Sequence, residues 1–371
     1  MANVSRTRLR LLALALVLVG CSGTETGDGT PTTGSGGSGG TTGTAGAGGA
    51  SGGSGGSGGL PEWIPTPADV GFTPVAPVPA GEQILFNDWS FPDALKSMAP
   101  DGTGAMKVFD IYRVWSLAVS RAGDRLALSC GDPDQEAHYG LTLGDAVQHS
   151  WVYDFATESL ELVAHGNIND ECHHFGPGDD AIYLCRRYDF TPDFTWKGYR
   201  LGRISLPDKT FEFLADEGAP SLLTLRPQVT PDGLELYFER IDIAGGSQDR
   251  SVWKRALPSG TPSLVHAEQM APVLSPDGQR YLFADTLQQS AIYSSRLDGS
   301  DVTLVVDRAA SSTVYSPDGT RVAYLLWDDA LACSHVEVVA ADGSQATAPV
   351  RIRDCGVTGE SVTELAWFVR P

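Results

Sequence analysis

Positive charge is scarce in this 371-residue chain: 26 lysines and arginines stand against 46 aspartates and glutamates, a formal charge of −20. So acidic a surface repels phosphate backbones and anionic lipid heads, which excludes nucleic-acid binding and electrostatic membrane binding as main functions. It tolerates cations and basic partners. Long apolar runs are missing as well: the stretch Leu11 to Val19 is too short to cross a bilayer. No segment has convincing helical periodicity, and no EF-hand or repeated Asp motif supports a calcium module. What the chain does have is 42% hydrophobic residues, enough for a sizeable core, so wholesale disorder is excluded.

The leader explains the one apolar run. Residues 1–20 have a basic start with Arg6, Arg8 and Arg10, the apolar stretch, and then a small residue, the pattern of a secretory signal. It ends in Leu18-Val19-Gly20-Cys21, which resembles the bacterial lipobox. The resemblance implies cleavage before Cys21, a diacylglycerol on its sulfur and, with Ser22 following, an outer-membrane address. Removing the leader leaves 23 basic against 46 acidic residues. Residues 22–59 hold 18 glycines and no large apolar side chain. Such a segment stays a flexible coil with an expected end-to-end distance of about 35 Å. The domain reading is therefore a signal peptide over 1–20, a lipidated Cys21 with its tether over 21–59, and a folded part over 60–371.

From Leu60 onward the chain repeats itself. LAVSRAGDRLALSC (117–130), HHFGPGDDAIYLC (173–185), PQVTPDGLELYFER (227–240), PVLSPDGQRYLFAD (272–285) and TVYSPDGTRVAYLLW (313–327) each set a tight reversal between two apolar runs. A second hairpin follows each, turning at Phe155–Glu158, Leu206–Lys209, Leu257–Gly260, Leu297–Ser300 and Ala341–Ser344. Each unit is thus four antiparallel strands, repeating every 41 to 56 residues, and the chain reads as nearly all β. Glu82–Trp89, Ala94–Gly102 and Met106–Asp110 look like a unit short of its first strand, and Val362–Val369 like a first strand with nothing after it. Joined, they make a sixth blade and close the ring without a bare sheet edge.

Ser275-Pro276-Asp277-Gly278, Ser316-Pro317-Asp318-Gly319 and the near match Thr230-Pro231-Asp232-Gly233 resemble the repeat of TolB-like propellers, over roughly residues 80–371. The Ser120 and Gly176 copies have drifted. The resemblance implies a six-bladed ring used mostly for protein contact in the bacterial envelope. The family's namesake also carries an N-terminal α/β domain. Its place is taken here by the tether, so the namesake's own role is not carried over.

In such a ring the long loops collect on one face: Gly131–Gln148, Arg186–Trp196 and Ile241–Arg250. Arg186, Arg187, Tyr188, Phe190, Phe194 and Trp196 are residue types that dominate interface hot spots, and the competing expectation is that they cap the blade top. Asp170, Glu171, His173 and His174 enter the first strand of one unit and form a polar cluster at the channel mouth. With acids such as Asp132 or Asp134 they offer a metal or substrate site. Alternation, however, sends His173 and His174 to opposite faces, which favours water-bridged channel lining. No metal or cofactor is expected. Among the cysteines, Cys333 and Cys355 are expected to pair, and Cys172 pairs with either Cys185 or Cys130. The functional reading is an envelope lipoprotein, outer-membrane anchored and monomeric, whose propeller binds a protein or polymer. The alternative is a polysaccharide lyase or hydrolase with its site near residues 170–174.

Overall fold

The repeated turn is built by one side chain that ties both ends of its hairpin. Ser275 Oγ donates to Asp277 Oδ1 at 2.6 Å and accepts the Arg280 N–H at 3.0 Å, while Gln279 N–H donates to Asp277 Oδ1 at 3.0 Å. Thr230 with Asp232, and Ser316 with Asp318, repeat the arrangement. Gly278 and Gly319 close the turns at φ of 66° and 73°, a region costly to any residue with a Cβ.

The computed structural model describes residues 63–88, 94–140, 147–188, 197–214, 222–243, 249–285, 291–308, 310–328, 330–331, 333–355 and 362–371. Trp63–Pro371 is one compact unit. Its strands fall into antiparallel runs of four. β5 (Val114–Val119), β6 (Arg125–Gly131), β7 (Gln148–Asp154) and β8 (Ser159–Ala164) form one. β9 (Ile168–Phe175), β10 (Ala181–Tyr188), β11 (Lys197–Ser205) and β12 (Phe211–Phe213) form the next. A single parallel bridge, Gln148 to Asn169, joins these two. Three separate four-stranded sheets follow. They are β13 (Leu222–Val229) to β16 (Ser263–Ala267), β17 (Gln269–Leu274) to β20 (Thr303–Val306), and β21 (Ser311–Tyr315) to β24 (Val350–Arg353).

The two ends of this unit share a sheet. β2 (Gly81–Asp88), β3 (Ala94–Met98) and β4 (Met106–Asp110) are joined by β25 (Leu365–Arg370), which pairs with β2 from Gly81–Arg370 to Phe86–Leu365. The first strands of successive runs lie against one another: β5 on β9, β9 on β13, β13 on β17, β17 on β21, β21 on β25 and β25 on β5.

Strand alternation divides the core. Tyr153, Leu160, Leu126 and Leu128 face one neighbouring run, whereas Ala127, Val152 and Val163 face the other. Two elements were not anticipated. Residues 63–80 form a strap in which Phe72 packs on Phe109 and Tyr153 at ring distances of 5.3 and 5.9 Å. Its β1 (Thr73–Pro74) then extends β4, pairing Thr73 with Asp110. A short helix, α1 (Gln135–Tyr139), occupies the first insertion and ends on left-handed Gly140.

Candidate functional site

The loop-bearing ends of the β5–β8 and β9–β12 runs meet around β9. At its centre Asp170 is fully buried and takes two bonds from Arg186, Nε to Oδ1 at 2.6 Å and the second guanidinium nitrogen to Oδ2 at 2.7 Å. Two-point geometry of this kind is what makes a buried ion pair tenable. Asp170 Oδ2 also accepts from Ser150 Oγ at 2.7 Å.

The acceptor-only carboxylate fixes the direction of a longer chain of bonds. Because Ser150 donates its hydroxyl to Asp170, its contact with His173 Nε2 at 2.9 Å must be one in which the imidazole donates. His173 Nδ1 then accepts from Ser116 Oγ at 3.0 Å, and Ser116 Oγ in turn accepts the His173 backbone N–H at 2.8 Å. Burial lowers the His173 pKa to about 4, so the imidazole is neutral, as this tautomer requires. The chain staples β5, β7, β9 and β10 together.

Glu171 lies beside this staple and accepts from Tyr199 Oη at 2.8 Å; Arg187 covers the same Tyr199 ring at 3.6 Å. His174 takes the other face, where it meets the backbone of Val229 and the charge of Arg121. The two histidines part, as alternation requires. Asp132 holds His138 Nδ1 at 2.8 Å, and Trp63 stacks on that imidazole at 3.6 Å. Neither Asp132 nor Asp134 joins His173. Among the described residues no group of three or more His, Cys, Asp or Glu side chains is placed to hold a metal ion.

Several expectations are corrected here. Arg186 and Arg187 are each only 8% exposed and point inward, Arg186 onto Asp170 and the Phe211 ring at 3.6 Å. They are frame residues, because their partners arrive from β9, β11 and β12. Tyr188 ends β10 by pairing with Lys197, while Phe190, Phe194 and Trp196, like Cys21, lie outside the described residues. Cys333 and Cys355 form a disulfide. Cys172 and Cys185 do not, nor do Cys130 and Cys172: all three are thiols. The reason is a bulge between Tyr183 and Cys185 that puts Glu171, not Cys172, opposite Cys185. Cys185 Sγ donates to the Glu171 carbonyl at 3.3 Å.

That bulge recurs, and the series of residues that carries it was missed in the sequence. Cys172, Arg226, Ala271 and Ser312 all stand four positions before their turn, and all have left-handed φ, between 45° and 58°. At the entry to β25, Glu364 accepts from Ser312 Oγ at 3.3 Å. Burial, reinforced by Glu171 and opposed by Arg226 and Ser312, pushes the Glu364 carboxyl up to about 7. Arg226 also reaches the buried Glu239 at 3.8 Å, which Arg250 pairs at 2.7 Å. The spacing from the turn was the available signal.

No family model and no curated protein sequence matches this chain. Solved structures match its fold. TolB from Acinetobacter baumannii is 14% identical, with a TM-score of 0.56 over 77% of this chain and 66% of that one. A putative TolB from Agrobacterium tumefaciens is 16% identical, with a TM-score of 0.53 over 78% and 98%. Hydrazine synthase from Kuenenia stuttgartiensis is 9% identical, with a TM-score of 0.56 over 79% and 47%. At such identities the likeness is one of fold. The chain has a TolB-like propeller fold and spans just under two thirds of the Acinetobacter protein.

Proposed function

We propose that this chain is a lipid-anchored lipoprotein of the bacterial envelope whose propeller, a closed ring of six blades, binds an envelope protein or polymer. The lipobox-like Leu18–Cys21, the glycine-rich tether and the TolB-like fold support the anchored part of this reading. The succession of neighbouring first strands and the pairing of β25 with β2 support the six-bladed ring.

One observation carries binding over turnover. The polar groups of β9 under the loop-bearing end are committed to partners within the fold: Asp170 to Arg186 and Ser150, His173 to Ser116 and Ser150, Glu171 to Tyr199. They make a stiff polar frame, and a stiff frame under long loops is how β scaffolds present recognition surfaces. The presenting segment is then 189–196, between the frame residue Arg187 and β11. Crosslinking capture from solubilised envelopes, comparing the full chain with a variant whose residues 189–196 are glycine and serine, tests this.

A further inference from the structure

The strap is a worked example of how this molecule fills a cleft between neighbouring runs. Phe72 enters the cleft between β4 and β7 and rests on Phe109 and Tyr153. The chain then turns extended and adds β1 to the outer edge of β4, where Val75 and Ala76 donate to the Val108 carbonyl at 2.8 and 3.1 Å. One apolar plug and a short stretch of edge pairing suffice.

On the opposite side of the same run the corresponding space is open. A cleft of about 370 Å³ lies between β6–β8 and the turn that follows β11. Val152, Val163, Leu206 and Pro207 supply its apolar lining, and Asp154 and Glu161 its acidic wall. Ser159, Glu161 and Val163 are alternate residues of β8, so the cleft runs along that strand. Among the described residues β8 pairs only with β7, which leaves its outer edge of backbone donors and acceptors available.

We propose that this cleft docks an extended segment of a protein partner in which aliphatic residues alternate with lysine or arginine, paired along β8. The proposal rests on the reading of the chain as a binding scaffold and adds a second surface, at the short-turn end. Charge selects the occupant. Asp154 is held below the usual carboxylate range by the Thr157 and Ala156 amides, so it stays ionised. Arg125, the one cation of the lining, is spent on the Asp179 carbonyl at 2.6 Å and on Asp124. Among the described residues Glu161 pairs only with an exposed lysine, Lys209, at 2.7 Å, a surface pair that an incoming basic side chain replaces at little cost. Edge pairing gives such a segment its affinity, and the side chains of alternate residues give it specificity.

The test uses the full chain in mild detergent at physiological ionic strength. It is titrated with a fluorescent peptide of core Lys-Val-Lys-Val-Lys-Val and with a Glu-Val-Glu-Val-Glu-Val control. The expected result is binding of the first peptide only, weakened about tenfold by Glu161→Lys and lost in Ser159→Trp, with amide exchange slowed over Ser159–Ala164. Both substitutions are at exposed positions, and circular dichroism checks that the variants are folded. No binding, binding indifferent to both substitutions, or protection elsewhere than β8 overturns the proposal. If that happens while envelope capture still depends on residues 189–196, the cleft falls and the scaffold reading stands; loss of both overturns both.

Discussion

Asn87 and Glu364 are 277 residues apart, and Asn87 Oδ1 accepts the Glu364 backbone N–H at 2.8 Å. The same oxygen accepts from Thr363 N–H at 3.0 Å, while Nδ2 donates to Thr363 Oγ1 at 2.6 Å and to the Val114 carbonyl at 2.8 Å. One buried carboxamide thus holds the entry to β25, the end of β2 and the start of β5.

Replacing it with an apolar residue leaves those partners unmatched. Asn87→Leu is expected to cost about 2–4 kcal/mol, because each orphaned buried group costs about 1–3 kcal/mol and some regain water. Thermal unfolding checks this, with Asn167→Leu, outside the junction, as the comparison.

Two turns that look alike in sequence differ in what surrounds them. A Cβ at Gly278 meets Pro231 Cδ at 2.5 Å, whereas one at Gly319 meets nothing nearer than Pro276 Cδ at 3.6 Å. Both alanines pay for the left-handed φ, roughly 1 kcal/mol. Gly278→Ala is expected to lose about 1 kcal/mol more than Gly319→Ala, as overpacking against a rigid ring does. Urea titrations of the two variants measure the difference.

Stability is expected to depend on pH through groups of opposite sign. The Glu364 carboxyl sits at about 7, above its ordinary 4.5, so its contribution is full below 4.5 and lost as pH rises through 7. His149 and His173 are lowered to about 4 from 6.5 by burial, so theirs is present above 6.5 and lost as pH falls from there toward 4. Glu364→Gln removes only the first component. Its unfolding free energy should rise with pH between 4.5 and 7 more steeply than the parent's, and parallel profiles would contradict the placement of this carboxyl.

Alkylation of the denatured, unreduced protein should modify Cys130, Cys172 and Cys185 and spare Cys333 and Cys355. The bridge spans a sequence separation of 22, and its loss in Cys333→Ala should cost about 3 kcal/mol. Cys21→Ser is expected to leave the leader uncleaved and the chain without added lipid mass, read by intact-mass spectrometry.

The repeated turns were legible because their chemistry is local: a serine or threonine, an aspartate and a glycine within four residues bond one another and backbone groups no more than five positions away. The pairing of the C-terminal strand with the N-terminal sheet was legible because one run lacked a first strand and another had nothing to follow it. Arg186 and Arg187 misled, since an arginine beside aromatics reads as an exposed anchor until Asp170, Tyr199 and Phe211 are brought beneath it by other strands. The Cys172 bulge was hidden by its residue type, because left-handed φ is ordinarily announced by glycine. The strap and α1 carry no periodic signal; two paired residues and a five-residue helix are too short for one.

The most direct test of the central claim is crosslinking capture from solubilised envelopes by the full chain and by its 189–196 replacement, each verified as folded by its melting transition. The account predicts one partner captured by the parent and lost in the replacement, at an unchanged melting temperature. Equal capture by both, or capture by neither, contradicts a scaffold that binds through its loop-bearing face.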